Sequence, residues 1–215
     1  MPAKTCAIIL GDVVRSSNTQ GVQQALHNAV NITNDWLPSN ILAPFEITRG
    51  DEIALVTEIT ADWFGYLLKF IDAAEAVKLR WVCVFDDLTE GFDSHSSAEM
   101  IGPGFVNADA AMKHLKKTSM LFAHQTKWNR YDQQISGIIN MYITMFNKLT
   151  QLQREVLRLY QQHGTQQMVA SVLGKSQQQI QYTLQSIQWE TFTQAETAIA
   201  SFLQHYIHQL QEDYL

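Results

Sequence analysis

The hydrophobic periodicity of the chain changes near residue 126, and this change limits the possible folds more than any other feature. Before that point, short apolar runs alternate with segments whose apolar positions recur every three or four residues. After it, every segment has the helical period. The sequence therefore predicts a protein of the α+β class, with an α/β domain over residues 1–126 and an all-helical domain over residues 127–215.

Five strands are predicted in the first part, separated by helical segments. The strands are expected at residues 5–10, 45–49, 53–57, 79–85 and 120–124, and the helices at 18–37, 61–77 and 105–117. The first six elements follow the order β-α-β-β-α-β, which is that of ferredoxin-like folds. In such a sheet the first and third strands are antiparallel neighbours, about 4.8 Å apart.

Charge and composition restrict the class of protein. No apolar run approaches the ~18 residues that span a bilayer, and the first residues do not resemble a signal peptide, so a cytoplasmic protein is expected. Only Cys6 and Cys83 are present, too few for a disulfide framework. Residues 1–120 contain 9 Lys and Arg against 15 Asp and Glu, whereas residues 121–215 contain 6 of each. The acidic first part repels phosphate unless a cation intervenes.

Two aspartates mark the edge of the predicted sheet. Asp12 follows the first strand and Asp51 precedes the third, so antiparallel pairing brings both carboxylates to one edge. They repel each other unless a proton or a cation lies between them, and Mg²⁺ or Mn²⁺ fits there with positions left for phosphate oxygens. The first helix begins at the same edge, where its N–H groups suit a phosphate. The predicted metal ligands are Asp12 and Asp51, and the predicted nucleotide-binding residues are Arg15, Ser16, Ser17 and Gly50.

A structural explanation of these aspartates stays open at this point. Aspartate is common in Gly-Asp turns because it tolerates turn geometry and bonds to its own backbone. Asp12 is also suited to precede a helix as a cap.

The same residues carry a family resemblance. Gly11-Asp12-Val13-Val14-Arg15-Ser16, followed by Thr48-Arg49-Gly50-Asp51-Glu52, resembles the bacterial SatD family, which couples such a domain to a C-terminal helix-turn-helix, over nearly the whole chain. Both motifs also resemble the palm of class III nucleotide cyclases and the GGDEF domain. In those enzymes two aspartates hold two divalent ions against a triphosphate, and by resemblance Asp12 and Asp51 take those places.

A third segment is similar to a cyclase motif. Gly102-Pro103-Gly104-Phe105-Val106-Asn107-Ala108 matches the segment whose asparagine orients the ribose, so the resemblance implies a catalytic role for Asn107. The arginine that steadies the transition state falls at Ala111 and is absent, which removes a contribution on the order of several kcal/mol. The structural alternative for Asn107 is a hydrogen bond at the start of a helix.

The spacing of Ala170, Gly174 and Ile180 predicts a helix-turn-helix within residues 149–190. A small residue lets the two helices pack closely, glycine suits a turn with positive φ, and Ile180 anchors the second helix. The predicted DNA-binding residues are Lys175, Ser176, Gln177, Gln178, Gln181, Tyr182 and Gln185. Lys175 is the only cation among them, although phosphate neutralisation supplies most of the affinity for DNA, so docking to a protein is the alternative.

The final helix is predicted to begin at Thr193 with a capping box. Its apolar stripe consists of Ala195, Ile199, Phe202, Leu203, Tyr206 and Leu210. Such a stripe must be covered, either by the rest of the helical domain or by a second copy in a homodimer.

Three functions are compatible with these features. In the first, a cyclase-like domain binds a nucleoside triphosphate with Mg²⁺ or Mn²⁺ and biases a helical output domain that binds DNA. In the second, the chain is a nucleotide cyclase-like enzyme with two-metal chemistry at Asp12 and Asp51. In the third, it is a scaffold that docks proteins. The absence of arginine at Ala111 favours the first and third functions, whereas the two aspartates favour the first and second.

Overall fold

A computed structural model describes residues 3–14, 19–39, 41–75 and 77–214. Within them it contains five strands, eight α-helices and one short 3₁₀ helix at Ser97–Glu99. The strands are β1 (Lys4–Val13), β2 (Ala43–Arg49), β3 (Glu52–Thr57), β4 (Leu79–Leu88) and β5 (Phe122–Thr126). The helices are α1 (Thr19–Asn34), α2 (Trp63–Ala73), α3 (Pro103–Leu115), α4 (Asp132–Phe146), α5 (Gln151–His163), α6 (Gln166–Leu173), α7 (Gln177–Ile187) and α8 (Trp189–Tyr214).

The strands form one mixed sheet in the order β2-β3-β1-β4-β5. β1 is antiparallel to both of its neighbours, β3 and β4, and β5 is parallel to β4. The prediction that the first and third strands are antiparallel neighbours is therefore confirmed, as is the α+β class.

Alternate residues of each strand point to opposite faces of the sheet. One face, here called the α3 face, includes Ile8 and Val84 and is covered by α3 through Ala108 and Met112. The other face, here called the aromatic face, packs against α1, α2, α4 and α8. Its large buried side chains include Phe45, Trp63, Phe70, Trp81, Phe85 and Phe122.

The helices of the second half complete the core of the aromatic face. Leu203, Tyr206 and Leu210 of α8 are buried in the same cluster as the strands, and the ring of Tyr206 stacks on Phe85 with an interplanar angle of 15°. The apolar stripe of the last helix is thus covered within the chain, and the strands of the first part share in this cover, whereas the sequence predicted cover by the helical domain or by a second copy. One hydrophobic core consequently continues across the predicted domain boundary at residue 126.

Several boundaries differ from the prediction. β1 ends three residues later than predicted, because Gly11 and Asp12 form pairs with both β3 and β4. Asp12 therefore lies inside β1 and not beyond its end. β4 also ends three residues later, because its residues 86–88 pair with residues 4–6 of β1. α8 begins at Trp189, and Thr193 is an interior residue whose hydroxyl donates to the carbonyl oxygen of Trp189 at 3.2 Å. The predicted capping box at Thr193 is wrong.

Helices α5, α6 and α7 pack around a small core of their own that includes Val156, Val169 and Leu184. The capping box that opens α5 is present at Thr150. Ala170 and Ile180 are buried, and Gly174 has a φ of +60° between α6 and α7, as the spacing predicted. No helix in the described part of the chain is long and apolar enough to cross a membrane.

Candidate functional site

A cleft of about 250 Å³ opens on the α3 face, where β1 and β3 meet α3 and the loop before it. Its polar lining residues include Asp12, Thr48, Arg49, Glu52 and Asp109, and its apolar lining residues include Leu10, Ala54, Met100, Phe105 and Met112. Three carboxylates and one guanidinium thus surround an apolar floor.

Asp12 is the buried carboxylate of this cleft, and only 7% of the residue is exposed. Its cross-strand neighbours on the same face are Glu52 of β3 and Arg80 of β4. The ammonium of Lys116 lies 2.6 Å from its Oδ1 atom. The cation that the structure places on Asp12 is therefore a lysine at the end of α3.

Asp51 lies in the turn between β2 and β3 and is half-buried. It immediately precedes Glu52, the partner of Asp12 in the strand register, so the two aspartates do belong to one edge of the sheet. Gly50 has a φ of +65°, which a turn with a left-handed residue requires. Its carbonyl accepts a hydrogen bond from Gln23 of α1 at 2.6 Å. The described residues that line the cleft include neither Gly50 nor Asp51.

The predicted phosphate contacts Arg15, Ser16 and Ser17 lie outside the described residues.

Asn107 lies near the start of α3, where its amide donates to Oδ2 of Asp86 at 2.5 Å. Asp86 is buried, and its Oδ1 atom accepts from the backbone N–H of Asp87 at 2.7 Å. This is the structural alternative that the sequence left open for Asn107, which also does not belong to the described lining of the cleft.

The glycines of the cyclase-like segment have a packing role. A Cβ on Gly104 would lie 2.3 Å from Cδ1 of Ile8, and one on Gly102 would lie 2.6 Å from the carbonyl oxygen of Asp87. Both distances are shorter than carbon atoms tolerate. The two glycines therefore allow the start of α3 to approach β1 and β4 closely, which positions Asn107 over Asp86.

Four charged residues at the site were not predicted from the sequence: Arg49, Glu52, Asp109 and Lys116. A signal was present in α3, since Phe105, Asp109, Met112 and Lys116 recur at the spacing of one helical face. Glu52 has the same parity in β3 as the cleft-lining Ala54, and in an antiparallel pair it faces Asp12 directly.

A carboxylate on β2 anchors the loop above the cleft. Glu46 accepts hydrogen bonds from the hydroxyls of Ser96 and Ser97 and from the backbone N–H of Ala98 at 3.1 Å. Ser97 and Ala98 in turn line the cleft. Glu46 thereby fixes one wall of the cleft against the sheet.

The seven predicted DNA-binding residues are all exposed on or beside α7. Ser176 caps the helix, because its hydroxyl accepts from the N–H of Gln179 at 3.2 Å. The amide of Gln178 donates to the hydroxyl of Tyr182 at 3.1 Å, which links two of the predicted residues. The surface is polar, with Lys175 as its one formal charge among the seven.

The fit of this site to a divalent metal depends on the ligands that the cation takes. Within the described ranges, no three His, Cys, Asp or Glu side chains are arranged to hold a metal ion together. Mg²⁺ is commonly bound by only one or two carboxylates, with water and phosphate oxygens as its other ligands. Asp12 and Asp51 are compatible with that mode of binding, provided that Lys116 leaves the oxygen of Asp12.

Comparison with known proteins places the whole arrangement in a family. No curated protein matches the chain. The model of the SatD family matches residues 6–203, from β1 into α8, and therefore covers both the sheet with its cleft and the helices α5 to α7. The chain belongs to the SatD family.

Proposed function

We propose that this protein is a regulator whose cleft binds a nucleoside triphosphate together with Mg²⁺ or Mn²⁺, and whose helices α5 to α7 form a helix-turn-helix that contacts DNA. The observation that carries the proposal is the position of Asp12, a buried carboxylate in the wall of a cleft, next to the turn that bears Asp51. Burying a carboxylate costs free energy, so a buried carboxylate in the wall of a cleft is expected to have a function.

The topology supports a cyclase-like palm. The strand order β2-β3-β1-β4 with antiparallel neighbours is that of the split βαβ arrangement, and β5 extends it beside β4. In this arrangement the turn between β2 and β3 and the end of β1 lie at one edge, where Asp12 and Asp51 are found.

The proposal gives distinct roles to residues in the cleft and at the adjoining edge of the sheet. Asp12 and Asp51 would hold the divalent ion, which when bound neutralises the charge of the phosphates. Arg15, Ser16, Ser17 and Gly50 are proposed to contact those phosphates. The apolar floor around Phe105 suits the flat face of a base.

Calorimetric titration with ATP and GTP, with and without Mg²⁺ or Mn²⁺, tests this binding. In the wild type, titration with the nucleotide is expected to give binding heat only when the metal ion is also present. Asp51→Asn is expected to weaken binding at least about tenfold, whereas Asp35→Asn, an exposed aspartate outside the cleft, leaves it unchanged. Equal binding by both variants, or no heat with any nucleotide, would sink the proposal.

Binding is favoured over catalysis by the environment of Asn107. Its amide is engaged with Asp86, and Ala111 stands where the resemblance expects an arginine. Incubation of the protein with nucleotide and Mn²⁺, followed by chromatography, tests the cyclase-like alternative. If the protein is a regulator and not an enzyme, the nucleotide is expected to be recovered intact.

The DNA proposal is supported by the exposed polar side chains on and beside α7. Exposed glutamines pair with adenine edges, and serine and tyrosine hydroxyls reach phosphates. A gel shift with genomic fragments at low and at physiological salt tests it. Lys175→Gln is expected to weaken binding to all sequences and to reduce the salt slope by about one, in contrast to Lys148→Gln outside the α6–α7 pair. Absence of a shift even at low salt favours the alternative, a helical module that docks a protein.

A homodimer is proposed on the face shared by α4 and α8. Ile138, Met141 and Met145 form an exposed stripe on α4, beside a groove of about 240 Å³ that Ala195 and Ala198 of α8 also line. Residues 133–147 contain no charged side chain, and depletion of charge is typical of the core of an interface. Light scattering tests the dimer, which Met141→Glu is expected to dissociate and Gln134→Glu is not.

A further inference from the structure

Lys116 holds the position at Asp12 that a metal ion would take. Its Nζ atom lies 2.6 Å from Oδ1 of Asp12, and 39% of the lysine side chain is exposed against 10% of the aspartate side chain. Lys116 directly follows α3, and its backbone N–H donates to the carbonyl oxygen of Met112 at 2.9 Å. The C-terminal end of a helix attracts a cation, so the ammonium is favoured here by α3 as well as by the carboxylate.

Asp12 has a second basic side chain nearby, which does not replace Lys116. Arg80 is its partner in β4, on the same face of the sheet. Among the described residues Arg80 makes no ion pair within 4 Å, and its buried Nε atom has no hydrogen-bond partner. The charge of Asp12 is thus compensated by Lys116 and not by Arg80. A lysine has a flexible four-carbon stem, and the exposure of Lys116 gives its ammonium a path into water.

We propose that Lys116 is an intramolecular counter-ion that occupies the cation position at Asp12, and that a divalent metal ion binds Asp12 only when the ammonium leaves. The inference deepens the proposed function and rests on it for the place of the metal. Two cations on one carboxylate oxygen repel each other, so lysine and metal exclude one another there. The displaced ammonium is then available for the phosphates of the nucleotide, which explains why metal and nucleotide would bind together.

Titration with Mn²⁺ alone tests the exchange, with the free ion counted by electron paramagnetic resonance. Lys116→Gln is expected to bind Mn²⁺ about two- to fivefold more tightly than the wild type, the range that loss of a partly exposed ion pair supports. Lys117→Gln changes the neighbouring exposed lysine, for which no ion pair is found among the described residues, and is expected to match the wild type. Equal affinities of the two variants would overturn the inference.

Further variants test whether the tighter Mn²⁺ binding of Lys116→Gln depends on Asp12. The double variant Asp12→Asn with Lys116→Gln is expected to lose the gain, and a gain that persists there contradicts the exchange. Lys116→Arg keeps the charge and is expected to bind Mn²⁺ as weakly as the wild type. Thermal unfolding shows whether each variant folds, and Lys116→Met, which keeps the aliphatic stem, replaces Lys116→Gln if that variant does not.

These titrations contain no nucleotide. Failure of ATP and GTP to bind to any variant therefore overturns the proposed function without affecting the Mn²⁺ result. Absence of Mn²⁺ binding to both the wild type and Lys116→Gln overturns the exchange itself.

Discussion

The two faces of one sheet differ in how they accommodate polar atoms, although the same strands form both. On the aromatic face, Nε1 of Trp63 and both ring nitrogens of His124 are buried without a hydrogen-bond partner among the described residues. On the α3 face, Nε of Arg80 also lacks a partner among the described residues, but the carboxylates of Asp12, Glu46 and Asp86 all accept hydrogen bonds or form ion pairs with other elements.

The difference shows which interactions stabilise each face. A buried polar atom without a partner costs about 1–3 kcal/mol, so the aromatic face depends on the packing of its rings to offset that cost. The ring of Trp63, for example, stacks on Phe122 and on His124 with interplanar angles of 3° and 5°. On the α3 face, which has a hydrophobic core of its own, the carboxylates are compensated by neighbouring side chains and backbone N–H groups, and the candidate cleft lies on this face.

The largest loss of stability is expected from a substitution in the core of the aromatic face. Trp63→Ala removes a fully buried ring at its centre and should lower the free energy of unfolding by about 3–5 kcal/mol, because the surrounding rings cannot close the cavity. Urea unfolding followed by far-ultraviolet circular dichroism measures it. A loss below about 1 kcal/mol would show that this face does not depend on ring packing.

A smaller loss is expected where the α3 face depends on a carboxylate. Glu46→Ala leaves the buried hydroxyl of Ser97 and the N–H of Ala98 without their acceptor, which should cost about 2–3 kcal/mol. Hydrogen exchange should accelerate in residues 90–101, the loop that Glu46 anchors. Glu46→Gln retains an acceptor oxygen and should show a smaller change. Unaltered exchange in Glu46→Ala would contradict the anchoring role.

The buried ring of His124 on the aromatic face should make the stability of the protein depend on pH. Burial lowers the pKa of His124 from 6.5 to about 3, so the folded protein keeps this ring neutral while the unfolded chain protonates it below about pH 6.5. The stability that arises from the neutral ring is fully present above pH 6.5 and is lost as the pH falls towards 3. At pH 5 the free energy of unfolding is lower by about 2 kcal/mol. His124→Phe should remove this part of the pH dependence in unfolding curves between pH 7 and 5. An identical slope in that variant would rule out His124 as its source.

The smallest effect is expected at an exposed ion pair at the end of the strands. Glu58 pairs with Lys4 at 2.8 Å, and about half of each side chain is exposed. Glu58→Ala should therefore lower the free energy of unfolding by about 0.2–1 kcal/mol, and the difference should shrink in high salt. It is the control for Glu46→Ala, since both remove one glutamate. Similar losses in the two variants would show that the partners of Glu46 contribute little.

Much of the fold could be predicted because its signals are local. The capping box at Thr150, the left-handed Gly174 and the buried Ile180 each follow from a few neighbouring residues. The same local reasoning failed at Thr193, whose motif with Glu196 resembles a capping box. In the structure Glu196 accepts a hydrogen bond from the hydroxyl of Tyr142, a contact between helices that no local pattern contains.

The candidate site, like the fold, could be predicted only in part. The antiparallel topology, which the order of the elements implied, brought Asp12 to the edge that bears Asp51. The partners of the buried carboxylates did not follow, because an ion pair such as that of Asp12 with Lys116 depends on how far α3 is shifted and rotated on the sheet. Gly102 and Gly104 were interpreted as part of a nucleotide motif, and their close approach to β1 and β4 became visible only in the packed structure.

The period of each element can be seen in the sequence, and it sets the strands, the helices and the side of each that is buried, since hydrophobic burial follows that period. That α4 and α8 complete the core of the sheet, and that a lysine compensates Asp12, became visible only in the folded protein. The reason is physical: periodicity fixes which face an element buries, whereas the choice of partner depends on shape and charge complementarity between elements that are distant in the chain.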